Sequence, residues 1–299
     1  MRFHRDTMYI APAGRERLRR AGLDTVDRVL KCLGHQVVAW SRSTETVRVD
    51  LPAEAGAGAV FVKRYHLLRW KVRIKAMFRG AFFGRSRARA EFDRLERMRS
   101  AGAPVVDPVA WGERRILHFV RFSFLITEAV DGAVSLTTFA QNHADGRRRP
   151  LSFRDRRALL ESLGRCIGQL HGQGLAHGAL FWRNVLVRNT EPGRYGFVLL
   201  DAPGRRRLRL AGAGTRRAED ILSDLAQIAA LAPQFCSKAD MCRFFCAYLG
   251  TRRLDESHRR LARDVARRAE SLRDHELYRL KMDRVFHYHL VPEPAECPA

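Results

Sequence analysis

The chain has 299 residues, of which 46% are hydrophobic, so it is long enough to bury a full core as one two-lobed domain or two small ones. Its formal charge of +23, from 55 Lys and Arg against 32 Asp and Glu, favours a polyanionic partner such as nucleic acid, anionic lipid or a phosphorylated glycan. No apolar run approaches the roughly 18 to 20 residues that span a bilayer, and residues 1–14 lack the apolar core of a secretory signal, so the sequence predicts a cytoplasmic protein.

The six cysteines of the chain form no CxxC pair. Cys242 and Cys246 lie one helical turn apart and could in principle hold a metal. A cytosolic chain is expected to keep its thiols reduced, so buried free thiols are the favoured interpretation.

The first part of the chain shows strand patterns with one inserted helix. Residues 36–51 alternate between apolar and polar in places, which is typical of strands. Residues 86–100 are followed by Gly102 and Pro104, which commonly mark the end of a helix. In chain order we predict short helices within 15–33, two strands within 36–51 joined near Ser43, a strand over 59–65, a helix over 86–100, and strands over 116–119 and 122–127.

From Phe153 onward the pattern becomes helical. Apolar residues recur at i, i+4, i+8 and i+11 and define one face of a helix: Leu159, Leu163, Ile167 and Leu170. A hairpin over 184–200 follows, and helices are predicted between 219 and 282.

These elements predict an α+β fold of two lobes. A connector at 128–132 divides an N-terminal extension and strand-rich lobe, residues 1–128, from a helical lobe, residues 129–299. Both lobes are expected to belong to a single domain.

The strongest functional signal lies in two loops of the second half. Residues 170–187 read LHGQGLAHGALFWRNVLV, and residues 198–204 read VLLDAPG. They resemble the catalytic loop and the metal-binding loop of protein kinases, in which an Asn and an Asp hold the magnesium ions that bridge the nucleotide phosphates. Asn184 and Asp201 stand at those positions, and their oxygen atoms suit Mg²⁺.

A kinase also needs a strand lysine and a helix glutamate that together orient the α- and β-phosphates of ATP. Lys63 ends a predicted strand, and Glu91 lies on the helix predicted over 86–100. Asp93 and Glu96 on the same helix remain competing partners for Lys63.

Further segments make the resemblance specific. The Val-Lys-Arg-Tyr strand end, the basic insertion after it, the Gly-x-Pro-Val turn at 102–105 and the Leu-Ile-Thr-Glu run at 125–128 are similar to the lipopolysaccharide core heptose and 3-deoxy-octulosonate (Kdo) kinases. The resemblance implies a bilobal kinase fold that binds ATP and Mg²⁺ and phosphorylates a core sugar. It places Glu128 at the nucleotide, and it implies that Asp224 accepts hydrogen bonds from the catalytic-loop backbone.

The catalytic loop departs from the pattern of that family, His-Gly-Asp-Leu-Lys-Trp-x-Asn. Ala179 replaces the Asp that orients the attacking hydroxyl, and Phe181 replaces the Lys. Losing a positioned base typically slows a reaction about 10²- to 10⁴-fold, although phosphoryl transfer depends mostly on positioning and electrostatics. Arg183 could supply a cation in the loop, and His177 could orient a hydroxyl or pack the loop.

The segment between Lys63 and Arg89 holds ten Lys and Arg residues and no acidic residue. Its apolar residues fall at helical spacing, so it could lie on the inner membrane or grip the lipopolysaccharide core or another anionic glycolipid. Alternatively, the apolar stripe packs on the sheet of the first lobe. Nucleic acid is disfavoured because the sequence carries no signature of a nucleic-acid-binding fold.

Three functional hypotheses follow. The first is an ATP-dependent kinase of a lipopolysaccharide core sugar, located peripherally at the inner membrane of a Gram-negative bacterium. The second is a pseudokinase that binds a core intermediate or an assembly enzyme, which Ala179 and Phe181 favour. The third, a kinase of another branch, is disfavoured by the basic insertion.

Overall fold

The computed structural model describes residues 4–40, 43–56, 58–66, 84–191, 193–203 and 213–287. The predicted apolar stripe at 67–83, together with Gly204 and Cys297, lies outside the described residues. Two compact units form the chain, one of Met1–Ala133 with Val198–Leu208 and the other of Val134–Phe197 with Arg209–Ala299.

The first unit is built on a six-stranded antiparallel sheet with the order β1-β5-β6-β4-β3-β2. Its central strands are rich in β-branched and aromatic residues, which fit a pleated surface. The strands are β1 His4–Ile10, β2 Gln36–Trp40, β3 Thr44–Leu51, β4 Gly58–His66, β5 Pro108–Ile116 and β6 Phe119–Glu128.

Among the described residues of the first unit, three α-helices accompany the sheet: α1 Arg15–Arg20, α2 Val26–Lys31 and α3 Arg87–Ser100. Ser86 caps α3 by accepting a hydrogen bond from the Arg89 backbone N–H. The buried face of α3 carries Glu91 among apolar neighbours such as Phe92 and Leu95. The helix therefore presents a carboxylate toward the sheet.

The core of the first unit lies between the sheet and the helices α1 and α2. Leu18, Val29 and Val47 are fully buried there. At Gly112 in β5, a Cβ atom would come within 2.4 Å of the Phe124 ring, so only glycine lets that ring pack against the strand.

The second unit is mainly helical and includes most of a small sheet with the order β7-β8-β9. The strands of this sheet are β7 Ala133–Ser135, β8 Val185–Glu191 and β9 Arg194–Leu199. The helices are α4 Leu136–Ala144, α5 Phe153–Gly172, α6 Ala213–Ala229, α7 Ala232–Phe235, α8 Lys238–Leu249 and α9 Glu256–His287.

Helices α5 and α8 pack with their backbones in close contact. A Cβ atom at Gly164 would lie 2.5 Å from the Phe244 carbonyl oxygen, and one at Gly168 would lie 2.5 Å from the Tyr248 carbonyl oxygen. Two glycines one turn apart thus fix α5, and the catalytic-loop sequence begins where that helix ends.

Two expectations about this part of the fold were wrong. Residues 116–119 are not a strand, because β5 ends at Ile116 and a turn with Leu117 at φ 55° leads into β6. The described cysteines are free thiols, as expected, but they are not fully buried, since Cys242 is exposed and the others are only partly buried. None of the helices in the described ranges has the length and hydropathy needed to cross a membrane.

Candidate active site

The first unit contains an ionic cluster centred on Lys63 of β4. The Lys63 Nζ lies 3.1 Å from Glu91 Oε1 on α3 and 2.6 Å from Asp201 Oδ1, just after β9. Asp93, an alternative partner in the sequence, instead pairs with Arg85 at 2.7 Å. The structure therefore brings together three of the predicted site residues.

Tyr65 is a member of the cluster that sequence reasoning did not single out. It lies two residues after Lys63, so both side chains point to the same face of β4. Its hydroxyl donates a hydrogen bond to Glu91, and its ring is buried. The period-two spacing from Lys63 is the signal that could have identified it.

Burial and charge oppose each other in this cluster. Burial lowers the pKa of Lys63, but the Asp201 and Glu91 carboxylates raise it further, so it lies above its ordinary value. Burial raises the pKa of Glu91, and Lys63 offsets this only in part. Burial and the Glu91 charge raise the pKa of Tyr65. Lys63 is therefore a cation at neutral pH and Tyr65 a neutral hydrogen-bond donor.

Asp201 has an unusual backbone. Its φ angle is 56°, in the left-handed region that residues other than glycine seldom adopt. The strand before it is fixed by hydrogen bonds from the Leu199 N–H to the Pro104 carbonyl and from the Val106 N–H to the Leu199 carbonyl. Its side chain remains 45% exposed. Such backbone conformations concentrate at ligand sites, which is consistent with a binding role for this carboxylate.

The catalytic-loop sequence lies in the second unit and is anchored by Asp224 of α6. This fully buried carboxylate accepts hydrogen bonds from the backbone N–H groups of His177 and Gly178, the latter at 2.7 Å. The predicted bonding of Asp224 to the loop backbone is confirmed. His171 Nε2 lies 3.3 Å from the same carboxylate.

A second helix residue, Gln227, continues this anchoring and was missed in the sequence. Its Oε1 accepts the Leu180 backbone N–H at 2.5 Å, and the Trp182 indole donates to the Ile228 carbonyl at 2.6 Å. Gln227 lies three residues after Asp224, so both reach the loop from one face of α6. The loop is therefore held at several successive backbone positions.

Asn184 ends the loop in a short 3-10 helix, Trp182–Asn184. Its Nδ2 donates to the Ala179 carbonyl at 2.9 Å, which turns the amide so that Oδ1 is the atom left for a cation. Asp201 offers carboxylate oxygens, so both candidate ligands have the hard donors that Mg²⁺ prefers. The described ranges contain no group of three or more His, Cys, Asp or Glu side chains placed to hold a metal ion.

The remaining predicted site residues have different surroundings. His177 is fully buried, which favours a packing role for its ring over contact with a substrate. The Arg183 guanidinium lies 4.2 Å from the centre of the Phe181 ring and pairs with Glu276 of α9. In the first unit, Glu128 pairs with Arg17 at 2.6 Å.

The family of the chain follows from comparison with known proteins. The model of the lipopolysaccharide kinase (Kdo/WaaP) family matches residues 16–248. The chain belongs to this family. Membership of a kinase family implies the use of ATP.

Two relatives illustrate the match to the Kdo/WaaP family. The lipopolysaccharide core heptose(I) kinase WaaP of Pseudomonas aeruginosa is 33% identical over 105 residues, which are 35% of this chain and 38% of that protein. The matched stretch thus spans less than half of the relative. A solved structure of WaaP in complex with acyl carrier protein matches 89% of this chain and 99% of that one, with 24% identity and a TM-score of 0.59. The predicted α+β, protein-kinase-like fold is confirmed.

Proposed function

We propose that the chain transfers the γ-phosphate of ATP to a hydroxyl group of a lipopolysaccharide core sugar. The observation that carries the proposal is the Lys63–Glu91–Asp201 cluster, found in a member of a lipopolysaccharide kinase family. A lysine positioned by a glutamate is the arrangement that kinases use to hold ATP phosphates.

Each site residue has a proposed role. Lys63 binds the α- and β-phosphates, and Glu91, itself held by the Tyr65 hydroxyl, orients the ammonium group. Asn184 and Asp201 are the ligands of Mg²⁺, which when bound supplies the positive charge that neutralises the phosphates. Glu128, at the end of β6, is the proposed nucleotide contact of the connector.

Ala179 leaves the attacking sugar hydroxyl without a carboxylate base in the loop. Transfer then relies on the binding and alignment of the acceptor, and its rate is expected to be about 10²- to 10⁴-fold below that of a site with a positioned base. Positioning and electrostatic stabilisation contribute most of the catalysis of phosphoryl transfer, so we expect the reaction to be retained.

The acceptor is proposed to be reached at the cytoplasmic face of the inner membrane. The charge of +23 favours binding of an anionic glycolipid. The basic segment between Lys63 and Arg89, part of which lies outside the described residues, is the proposed membrane contact.

The direct test is transfer of labelled γ-phosphate from ATP to purified core lipopolysaccharide. Lys63→Met removes the phosphate-binding cation, whereas Lys31→Met, at an exposed lysine of α2, is the matched control. We expect label in the acceptor with the unmodified chain and the control, and a loss of at least about 100-fold with Lys63→Met. Equal transfer by both variants would contradict the proposed role of Lys63.

A pseudokinase is the second candidate, and Ala179 favours it. In this case the chain binds magnesium and ATP without transferring phosphate, and acts as a binding module in core assembly. Ala179→Asp restores the loop carboxylate. A variant that transfers label when the unmodified chain does not would identify a pseudokinase with an intact acceptor site. Transfer by the unmodified chain would exclude it.

A further inference from the structure

Helix α9, the last helix among the described residues, has a carboxylate in its apolar face. The buried residues Val265, Ala269 and Leu280 recur at the spacing of one helix face. Glu276 occupies the same face and is only 3% exposed. Acidic side chains are seldom buried this completely unless they are paired, so this position requires an explanation.

The partner of Glu276 lies in the catalytic loop. The Arg183 Nη1 donates a hydrogen bond to Glu276 Oε2, and the guanidinium also stacks on the ring of Phe181. A carboxylate on one side and an aromatic face on the other restrict the orientation of the arginine. Its side chain retains 26% exposure.

A salt bridge that only joined α9 to the loop would be the simpler interpretation. A buried ion pair is weak evidence for stability, because apolar side chains of similar volume stabilise a protein at least as well. The Arg183–Glu276 pair has a consequence other than stability. It fixes the guanidinium of Arg183, the residue directly before Asn184. Arginine in a fixed geometry is well suited to phosphate oxygens.

We infer that Glu276 is a positioning residue that holds the Arg183 guanidinium against Phe181 so that it binds phosphate oxygens of the substrate. This inference rests on the proposed kinase function. The match to the family ends at residue 248, and α9 begins at Glu256, so Glu276 lies beyond the matched region whereas Arg183 and Phe181 lie within it.

The site is then complete only when α9 is packed against the rest of the second unit. A second ion pair, from Arg268 of α9 to Glu219 of α6 at 3.7 Å, also contributes to this docking. Displacement of the last helix would release Arg183 without altering Asn184 or the backbone anchors of the loop.

The test compares Glu276→Gln with Glu270→Gln in the full-length chain. The first variant keeps the shape of the side chain and removes its charge, and the second makes the same change at an exposed position of α9. For each we would measure kcat and KM for core lipopolysaccharide, the Kd of the magnesium complex of AMP-PNP, and the thermal midpoint. We expect Glu276→Gln to lower kcat or weaken nucleotide binding about 10- to 100-fold, with Glu270→Gln unchanged.

Arg183→Ala tests whether Glu276 acts through the arginine. Adding Glu276→Gln to Arg183→Ala should produce little further loss, because the two changes remove one interaction. The exchanged pair, Arg183→Glu with Glu276→Arg, separates the two interpretations: it restores a salt bridge but leaves no cation in the loop. Restored thermal stability with activity still lost supports the inference, and restored activity overturns it.

Failure of the inference is distinguishable from failure of the proposed function. Normal transfer and nucleotide affinity in Glu276→Gln, even with a lowered thermal midpoint, would leave a structural salt bridge and overturn the inference alone. If the unmodified chain binds nucleotide without transfer, equal nucleotide affinities of Glu276→Gln and Glu270→Gln would overturn it. Absence of both binding and transfer in the unmodified chain would overturn the proposed function, and the inference with it.

Discussion

Replacement of the buried Asp224 side chain should weaken the second unit strongly. Its two oxygens accept the backbone N–H groups of His177 and Gly178 in a fully buried position. In Asp224→Asn one oxygen becomes an amide group, so one backbone donor loses its acceptor and faces another donor. A buried unsatisfied donor costs about 1–3 kcal/mol, and the remaining hydrogen bond loses about 1 kcal/mol when its acceptor is no longer charged.

The expected loss is therefore about 2–4 kcal/mol in the free energy of unfolding. Asp220→Asn, one turn earlier on α6 and partly exposed, is the control, and it should change the value by less than about 0.5 kcal/mol. Urea unfolding followed by circular dichroism measures both values, and amide hydrogen exchange at residues 177 and 178 reports the loop directly. If Asp224→Asn and Asp220→Asn unfold within about 0.5 kcal/mol of each other, the argument that Asp224 anchors the loop is refuted.

Two further predictions concern titratable groups of the second unit. Burial raises the pKa of Asp240, but hydrogen bonds from Arg156 and Ser237 lower it more, so it lies below its ordinary value. The stability that these hydrogen bonds to the Asp240 carboxylate provide is present above the unfolded-state pKa of an aspartate, about 3.9. It is lost as the pH falls through the lower pKa of Asp240 in the folded protein. Urea midpoints between pH 2 and 6 should therefore fall less steeply in Asp240→Asn, and an unchanged slope would contradict this. Burial raises the pKa of Cys166 to about 11, whereas Cys242 is exposed. Iodoacetamide at pH 8 should therefore label Cys242 at least about tenfold faster, as peptide mapping would show, and equal rates would count against the structure at Cys166.

The site residues that could be predicted from the sequence are those that belong to a recognisable loop or strand motif. Asn184 and Asp201 were found by their spacing, and Lys63 by its place at the end of a strand. The roles assigned to them, and the division at residue 128, remain predictions. Glu91 could be proposed as the partner of Lys63 because its helix offered only two other acidic residues, Asp93 and Glu96. The structure shows that Glu91 is the one that faces inward, beside the buried Phe92 and Leu95.

Contacts between residues distant in sequence were not predictable where no motif marks either residue. Glu276 pairs with a loop residue 93 positions earlier in the sequence. Nothing in the sequence around position 276 distinguishes this glutamate from the other acidic residues of a strongly basic helix. The strand β1 was missed as well, because its partly exposed residues, including Tyr9, do not alternate clearly. The false strand at 116–119 arose from two exposed apolar residues, Ile116 at the end of β5 and Leu117 in the turn after it.

In the proposed function, the cluster around Lys63 serves nucleotide binding, whereas the loop position held by Ala179 concerns catalysis. Glu91 and Tyr65 are buried and Lys63 is partly buried, and apolar residues of similar volume would stabilise the sheet at least as well. Stability therefore does not account for the cluster, whereas the proposed phosphate ligand would, because it would meet a cation already held in place. The loop has Ala179 in place of the family's aspartate, but Lys63 is retained. We therefore expect nucleotide binding whether the chain is a kinase or a pseudokinase. Calorimetry with AMP-PNP and magnesium should therefore give a saturable signal that Lys63→Met abolishes and Lys31→Met retains, whether or not phosphate is transferred.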